Sequence, residues 1–180
     1  MTSQRPLAPE QLAAYFALME VSSLLQHAVE QQLKEDGGLS WVQFQLLARL
    51  ADAPTGEHRM TDLADAVVYS RSGLTYQASL LEQAGLVTRR SSKDDERSVT
   101  VSITPAGRKV VGKVMPGHML VVRQQLLDSL SQKDLTALSC VLGRVRDTMR
   151  TAPPRSATTR ARHRDQCPEG TAQRKARKTI

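Results

Sequence analysis

From Pro9 to about Glu35 neither glycine nor proline interrupts the chain, and apolar residues recur at helical spacing, first as Leu12, Phe16 and Met19, then as Val21, Leu24, Leu25 and Ala28. The second set is rotated from the first. The predicted helix is therefore apolar on more than one face and needs cover from its own domain and from a partner chain. "EDGGLS" at 35–40 ends it, and Ser40 stands three residues before Gln43, the spacing of a capping box. A short helix follows through Phe44, Leu47 and Leu50, stopped by Pro54 and Gly56.

Thr61, with Asp62 and Asp65 in the turn after it, predicts the start of a third helix carrying Leu63, Ala64, Val67 and Val68. Ser70 can cap a fourth, "RSGLTYQASLLEQAGL", in which Leu74, Ala78 and Leu81 share one side. At about 100° per residue the opposite side carries Ser72, Tyr76, Ser79 and Gln83, with Thr75 at its margin. Gly85 ends the helix. Two short helices joined by a tight turn, the second with a small polar outer face, describe a helix-turn-helix. "LVTRR" and "SVTVSIT" then predict a hairpin of two short strands around a charged tip, Lys93 to Arg97. A helix pair followed by such a hairpin is a winged helix. The fold class expected is mainly α with a small β-hairpin wing, flanked by N- and C-terminal helices that form a dimerisation domain.

Thr104 and Pro105 open the next helix, with proline where its missing N–H costs nothing. Pro116 and Gly117 lie inside it, and a kink or break is expected between Gly112 and Pro116. Ser131 and Asp134 cap a last helix in which Leu135, Leu138, Leu142, Val145 and Met149 recur at spacings of 3, 4, 3 and 4. That seam is two heptads long, too short to hold alone, and implies packing on the terminal helices of the same chain and of a second one.

Charge changes the picture only at the C-terminus. Of the net +7, residues 151–180 supply +6 through eight Lys/Arg against Asp165 and Glu169. With one large aliphatic residue, Ile180, this segment reads as a basic disordered tail, either solubilising or a phosphate-seeking arm. The domain is then residues 1–150, with 9–35 and 105–149 as dimerisation helices and 40–104 as the winged helix-turn-helix. Six aromatics leave the core to Leu, Val, Ala and Met. Cys140 and Cys167 fit no metal spacing, and Cys140, beside the last seam, reads as a small buried hydrophobe. His27, His58, His118 and His163 lie far apart, so no metal site and no cofactor is expected. There is no phosphate loop, nucleophile elbow or HExxH, which argues against an enzyme. Neither a secretory signal nor a membrane span is read, and a cytoplasmic protein is expected.

The stretch "MTDLADAVVYSRSGLTYQASLLEQAGLVTRRSSKDDERSVTVSITPAGRKV" resembles the multiple antibiotic resistance regulator (MarR) family of bacterial transcription factors. The helix pair, the Asp-x-Arg of the hairpin tip and the "TPAG" opening of the long helix carry the resemblance. It implies a homodimer on double-stranded DNA, most simply a repressor of a pseudo-palindromic operator, with recognition helices in successive major grooves and wings in the flanking minor grooves. The recognition-helix residues would be Ser70, Arg71, Ser72, Gly73, Thr75, Tyr76 and Ser79. On the wing Arg97 would enter the minor groove, Asp95 would orient it, and Arg89, Arg90 and Lys93 would contact phosphates. Two positions depart from the pattern: Glu96 and Tyr76 stand where relatives often have Arg, and Tyr76 cannot make a bidentate pair with guanine.

In many relatives a small aromatic or lipophilic effector binds between the dimer helices and the winged helix. The candidate lining here is Tyr15, His27, Trp41 and Phe44, which could equally be core. Redox-sensing relatives use a reactive cysteine near the N-terminus, and none stands there in this sequence. The rival reading is a winged-helix module that binds a partner protein. The small polar residues and Arg71 on the fourth helix favour DNA, because partner sites concentrate apolar anchors.

Overall fold

In the computed structural model the described residues are 6–67, 69–91 and 99–151. They form six α-helices and three strands: α1 Pro9–Gly37, α2 Trp41–Asp52, β1 Glu57–Arg59, α3 Met60–Val67, α4 Arg71–Gln83, β2 Val87–Ser91, β3 Val99–Ile103, α5 Pro105–Gln125 and α6 Gln132–Arg150, with a single 3-10 turn, Leu127–Ser129, between the last two. The caps expected at Ser40, Ser70, Thr104 and Ser131 are made, and α1 has one at Ala8 and Gln11 that the sequence did not suggest. Gln11 accepts from the Ala8 N–H (2.9 Å) at the head of α1, and Ser40 and Gln43 cap α2 reciprocally (3.0 and 3.3 Å). At α5 the Thr104 hydroxyl accepts from the Gly107 N–H (3.1 Å). Gly38 and Gly85, in left-handed conformation, end α1 and α4.

The core lies where α2, α3 and α4 meet the sheet and the C-terminal part of α1 crosses α5. Leu33, Leu46, Leu47, Leu50, Leu74, Ala78, Val101 and Val114 are fully buried in it. Two arginines knit these layers by capping helix ends: Arg49 donates to the Ala66 carbonyl (2.9 Å) and Arg108 to the Ala51 carbonyl (3.1 Å).

Some expectations need correction or extension. β2 and β3 pair as the expected hairpin, with Val87 opposite Ile103, and β1 adds a third strand to give an antiparallel sheet of order β1-β3-β2, with Glu57 opposite Ser102. β1 is the polar run Glu-His-Arg, which has no strand signature of its own; it forms because β3 would otherwise leave an edge unpaired. α3 begins at Met60, one residue before Thr61, whose hydroxyl turns to Asp62 (3.2 Å). α5 runs unbroken through Gly112 and Pro116. Proline forfeits one helical bond there, while contact with α1 holds the rest: Gly37 abuts Val114, and Gln32 donates to the Val114 carbonyl (3.1 Å). Cys140 is exposed, because nothing among the described residues covers α6. By length and composition alone α1 is long and apolar enough to cross a membrane. Its C-terminal third is instead committed to protein, with Val29 and Leu33 buried against the core. Val68 and the tail beyond Thr151 lie outside the described residues.

Most large apolar residues on the N-terminal half of α1 and along α6 are exposed, among them Phe16 (61%), Leu24 (64%), Val145 (47%) and Met149 (72%). At the other side of the molecule the start of α5 is fastened to the end of α4. Thr104 donates through its hydroxyl to the Gly85 carbonyl (2.8 Å) and through its N–H to the Leu86 carbonyl (3.1 Å). Gly107 sits so close to the Leu86 carbonyl that a Cβ there would collide with it.

Candidate nucleic-acid interface

α4 presents two chemically distinct sides. Leu74, Ala78 and Leu81 are buried, while Arg71, Ser72, Thr75 and Tyr76 are exposed and Ser79 is half-buried. The face follows from the spacing: residues 72, 76 and 79 lie on the side of the helix away from 74, 78 and 81, with 75 at its margin, while Arg71 is exposed in the first turn. Ser70 is the N-cap, its hydroxyl accepting from the Gly73 N–H (3.2 Å). Gly73 serves that cap rather than the outer face, since the Tyr69 ring and the Ser70 hydroxyl fill the space a side chain would need. Thr75, though exposed, donates back to the Arg71 carbonyl (2.8 Å). The first turn carries Arg71 and no acidic residue, so side-chain charge and the helix N-terminus both favour an anion.

On the sheet, Arg90 is exposed on the outer side of β2, opposite Thr100. Arg89 is paired with the end of α4. Its Nε and Nη2 both reach Glu82 Oε2 (2.7 and 2.6 Å), and its backbone N–H donates to Glu82 Oε1 (3.1 Å). The hydrogen bond from the Arg89 side chain holds the Glu82 carboxyl below its usual range. A signal for this existed in the sequence: strands alternate faces, so Arg89 shares the inward side with buried Val87. Lys93, Asp95 and Arg97, the rest of the expected wing set, lie outside the described residues.

The expected effector lining comes together in part. Trp41 stacks on Phe44 (6.1 Å between ring centroids), and both adjoin a residue outside the expected lining, His118 of α5, 4.7 Å from Phe44 and 6.2 Å from Trp41. Tyr15 and His27 are elsewhere, exposed on α1, where Tyr15 packs on Phe16. Burial lowers the His118 pKa, and its Nδ1 is buried without a hydrogen-bond partner, as is Gln32 Oε1. His118 was findable: it follows Val111 and Val114 at spacings of three and four, on the face of α5 that is buried. Among the described residues no group of three or more His, Cys, Asp or Glu is placed to hold a metal ion.

A helix-turn-helix with an exposed polar recognition face, continued by a small antiparallel sheet and framed by long terminal helices, defines a winged helix-turn-helix protein. Comparison with known proteins narrows the class. Residues 37–98 match the model of the MarR family. The transcriptional regulator PecS of Dickeya dadantii is 30% identical over 146 residues, 79% of this chain and 86% of PecS. Two Streptomyces coelicolor regulators have similar structures: Sco3205, solved in complex with DNA (30% identity, TM-score 0.76, covering 82% of this chain and 92% of that one), and AbsC (32%, 0.75, 82% and 99%). The chain belongs to the MarR family of DNA-binding transcriptional regulators.

Proposed function

We propose that this protein is a homodimeric repressor of a pseudo-palindromic operator, acting in the cytoplasm as a regulator and not as an enzyme. The observation that carries the reading is the exposed face of α4, polar and free of acidic residues in its first turn, beside a sheet bearing Arg90. The likeness to Sco3205, which was solved with DNA bound, supports it. The exposed apolar residues of α1 and α6 support a second copy, since the described residues bury no part of α6. Two reading heads on a two-fold axis require half-sites about one helical turn, roughly 10 base pairs, apart. Footprinting on the upstream region of the protein's own gene tests this; protection of a single asymmetric half-site would refute it.

Two expectations outside the described residues join this proposal. Arg97 enters the minor groove at the wing, oriented by Asp95, with Lys93 near phosphates. Arg97→Ala is expected to cost about 1–3 kcal/mol in operator affinity and to relax preference for A·T flanks. Titration of operators with A·T and with G·C flanks checks it. Residues 151–180 act as a basic arm. Their deletion is expected to weaken binding to all sequences alike and to flatten its salt dependence, read as log K against log salt.

The aromatic corner of Trp41, Phe44 and His118 is the place we assign to a small aromatic or lipophilic effector. Its support is the apposition of three rings with an unpartnered buried ring nitrogen. Such a molecule releases DNA only by binding the DNA-incompetent arrangement more tightly.

A further inference from the structure

We propose that Glu82 and Arg89 form a positioning clamp that sets the angle of the wing against the recognition helix, and that Arg89 acts on DNA affinity through this clamp and not by touching phosphate. The proposal rests on the DNA-binding reading above. Three bonds join the two residues. The Arg89 guanidinium reaches one carboxylate oxygen through Nε (2.7 Å) and Nη2 (2.6 Å), and the Arg89 backbone N–H donates to the other (3.1 Å). The backbone bond is the informative one. It ties the main chain of β2, not merely a flexible side chain, to the last turn of α4, so the strand cannot tilt without breaking it.

Geometry also separates Arg89 from its neighbour. Arg89 shares the inward side of β2 with buried Val87, whereas Arg90 is exposed on the outer side. A guanidinium with two of its nitrogens on a carboxylate is locally neutralised, and phosphate would have to compete with a partner already in place. Arg123–Asp128 (3.7 Å) and Arg146–Asp147 (2.9 Å), the other ion pairs among the described residues, are well exposed and lie within the α5–α6 region, away from α4 and the sheet. Glu82–Arg89 is therefore the ion pair that joins the two elements expected to enter different grooves of the duplex.

The two roles predict opposite signs for one substitution. If Arg89 were a phosphate contact restrained by Glu82, Glu82→Gln would release it and tighten binding. If the pair is a clamp, the same change weakens binding. The experiment titrates an operator with full-length wild type, Glu82→Gln, Arg89→Gln and the charge-swapped double variant Glu82→Arg/Arg89→Glu, across a salt series and on A·T- and G·C-flanked operators, below each variant's unfolding midpoint. The clamp predicts that each single variant loses about tenfold in affinity and loses flank discrimination, while keeping the wild-type salt slope. The swapped pair recovers at least part of both. Tighter binding by Glu82→Gln overturns the proposal, as does a salt slope shallower by about one in Arg89→Gln alone. A loss of affinity with flank discrimination intact also overturns it, reducing the pair to a fold contact. Failure of the wild type to bind any operator would instead strike the DNA-binding reading itself.

Discussion

Leu142→Glu combined with Val145→Glu is expected to give a folded monomer that binds its operator at least about 100-fold more weakly than the wild type. Both residues are exposed within the single chain (39% and 47%), and none of α6 is buried, so the winged helix loses nothing by the change. In the proposed dimer the same positions close the interface, where an unpaired carboxylate must be desolvated without a partner. Once dimerisation fails, each head binds one half-site alone. The second binding event is no longer intramolecular, and linkage of two modest sites is ordinarily worth a factor of about 10² to 10⁴. Light scattering for mass, circular dichroism for fold and an operator titration together check the outcome. A dimer that still binds would place the interface elsewhere.

Leu74→Ala is expected to destabilise the protein by about 2–5 kcal/mol. Leu74 is completely buried on the inward side of α4 with Ala78 and Leu81, in the cluster that includes Leu50 and Leu63. Removing its isobutyl group leaves a void that rigid neighbours cannot fill. For a domain of this size each kcal/mol lowers the melting midpoint by about 2–4 °C, so a fall on the order of 10 °C should be seen in thermal denaturation. The substitution touches no exposed recognition residue, and at low temperature the variant should still bind the operator. Unchanged stability would mean that α4 is not held by this cluster.

Periodicity made most of the helices legible because caps and apolar spacing agree in this chain. Ser40 with Gln43, Ser70, Thr104 and Ser131 each begin a helix where the pattern places one. What escaped was structure created by a neighbour. β1 has no apolar residue and exists because β3 offers it an edge; α5 survives Pro116 because α1 is pressed against it. The site divides in the same way. The outward face of α4 follows from arithmetic at about 100° per residue, since burial of Leu74, Ala78 and Leu81 leaves the opposite side to solvent. The partner of Arg89 lies on another element, and a tally of basic residues cannot show that one of them is already engaged. Distance from the other histidines says nothing of what His118 touches, whereas its place on the buried face of α5 leads to Trp41 and Phe44.

The junction at Thr104 and Gly107 makes α5 a lever arm. Its near end is bound to the end of α4 by two hydrogen bonds and a contact too tight for any side chain, and its shaft of 21 residues is uninterrupted. At 1.5 Å per residue that shaft is about 30 Å long. Swinging it by about 5° about its far end displaces the reading head by roughly 3 Å, close to the 3.4 Å that DNA rises along its axis per base pair. A small rotation among the terminal helices is thus enough to take a head out of register by one base pair, with no change inside the head itself.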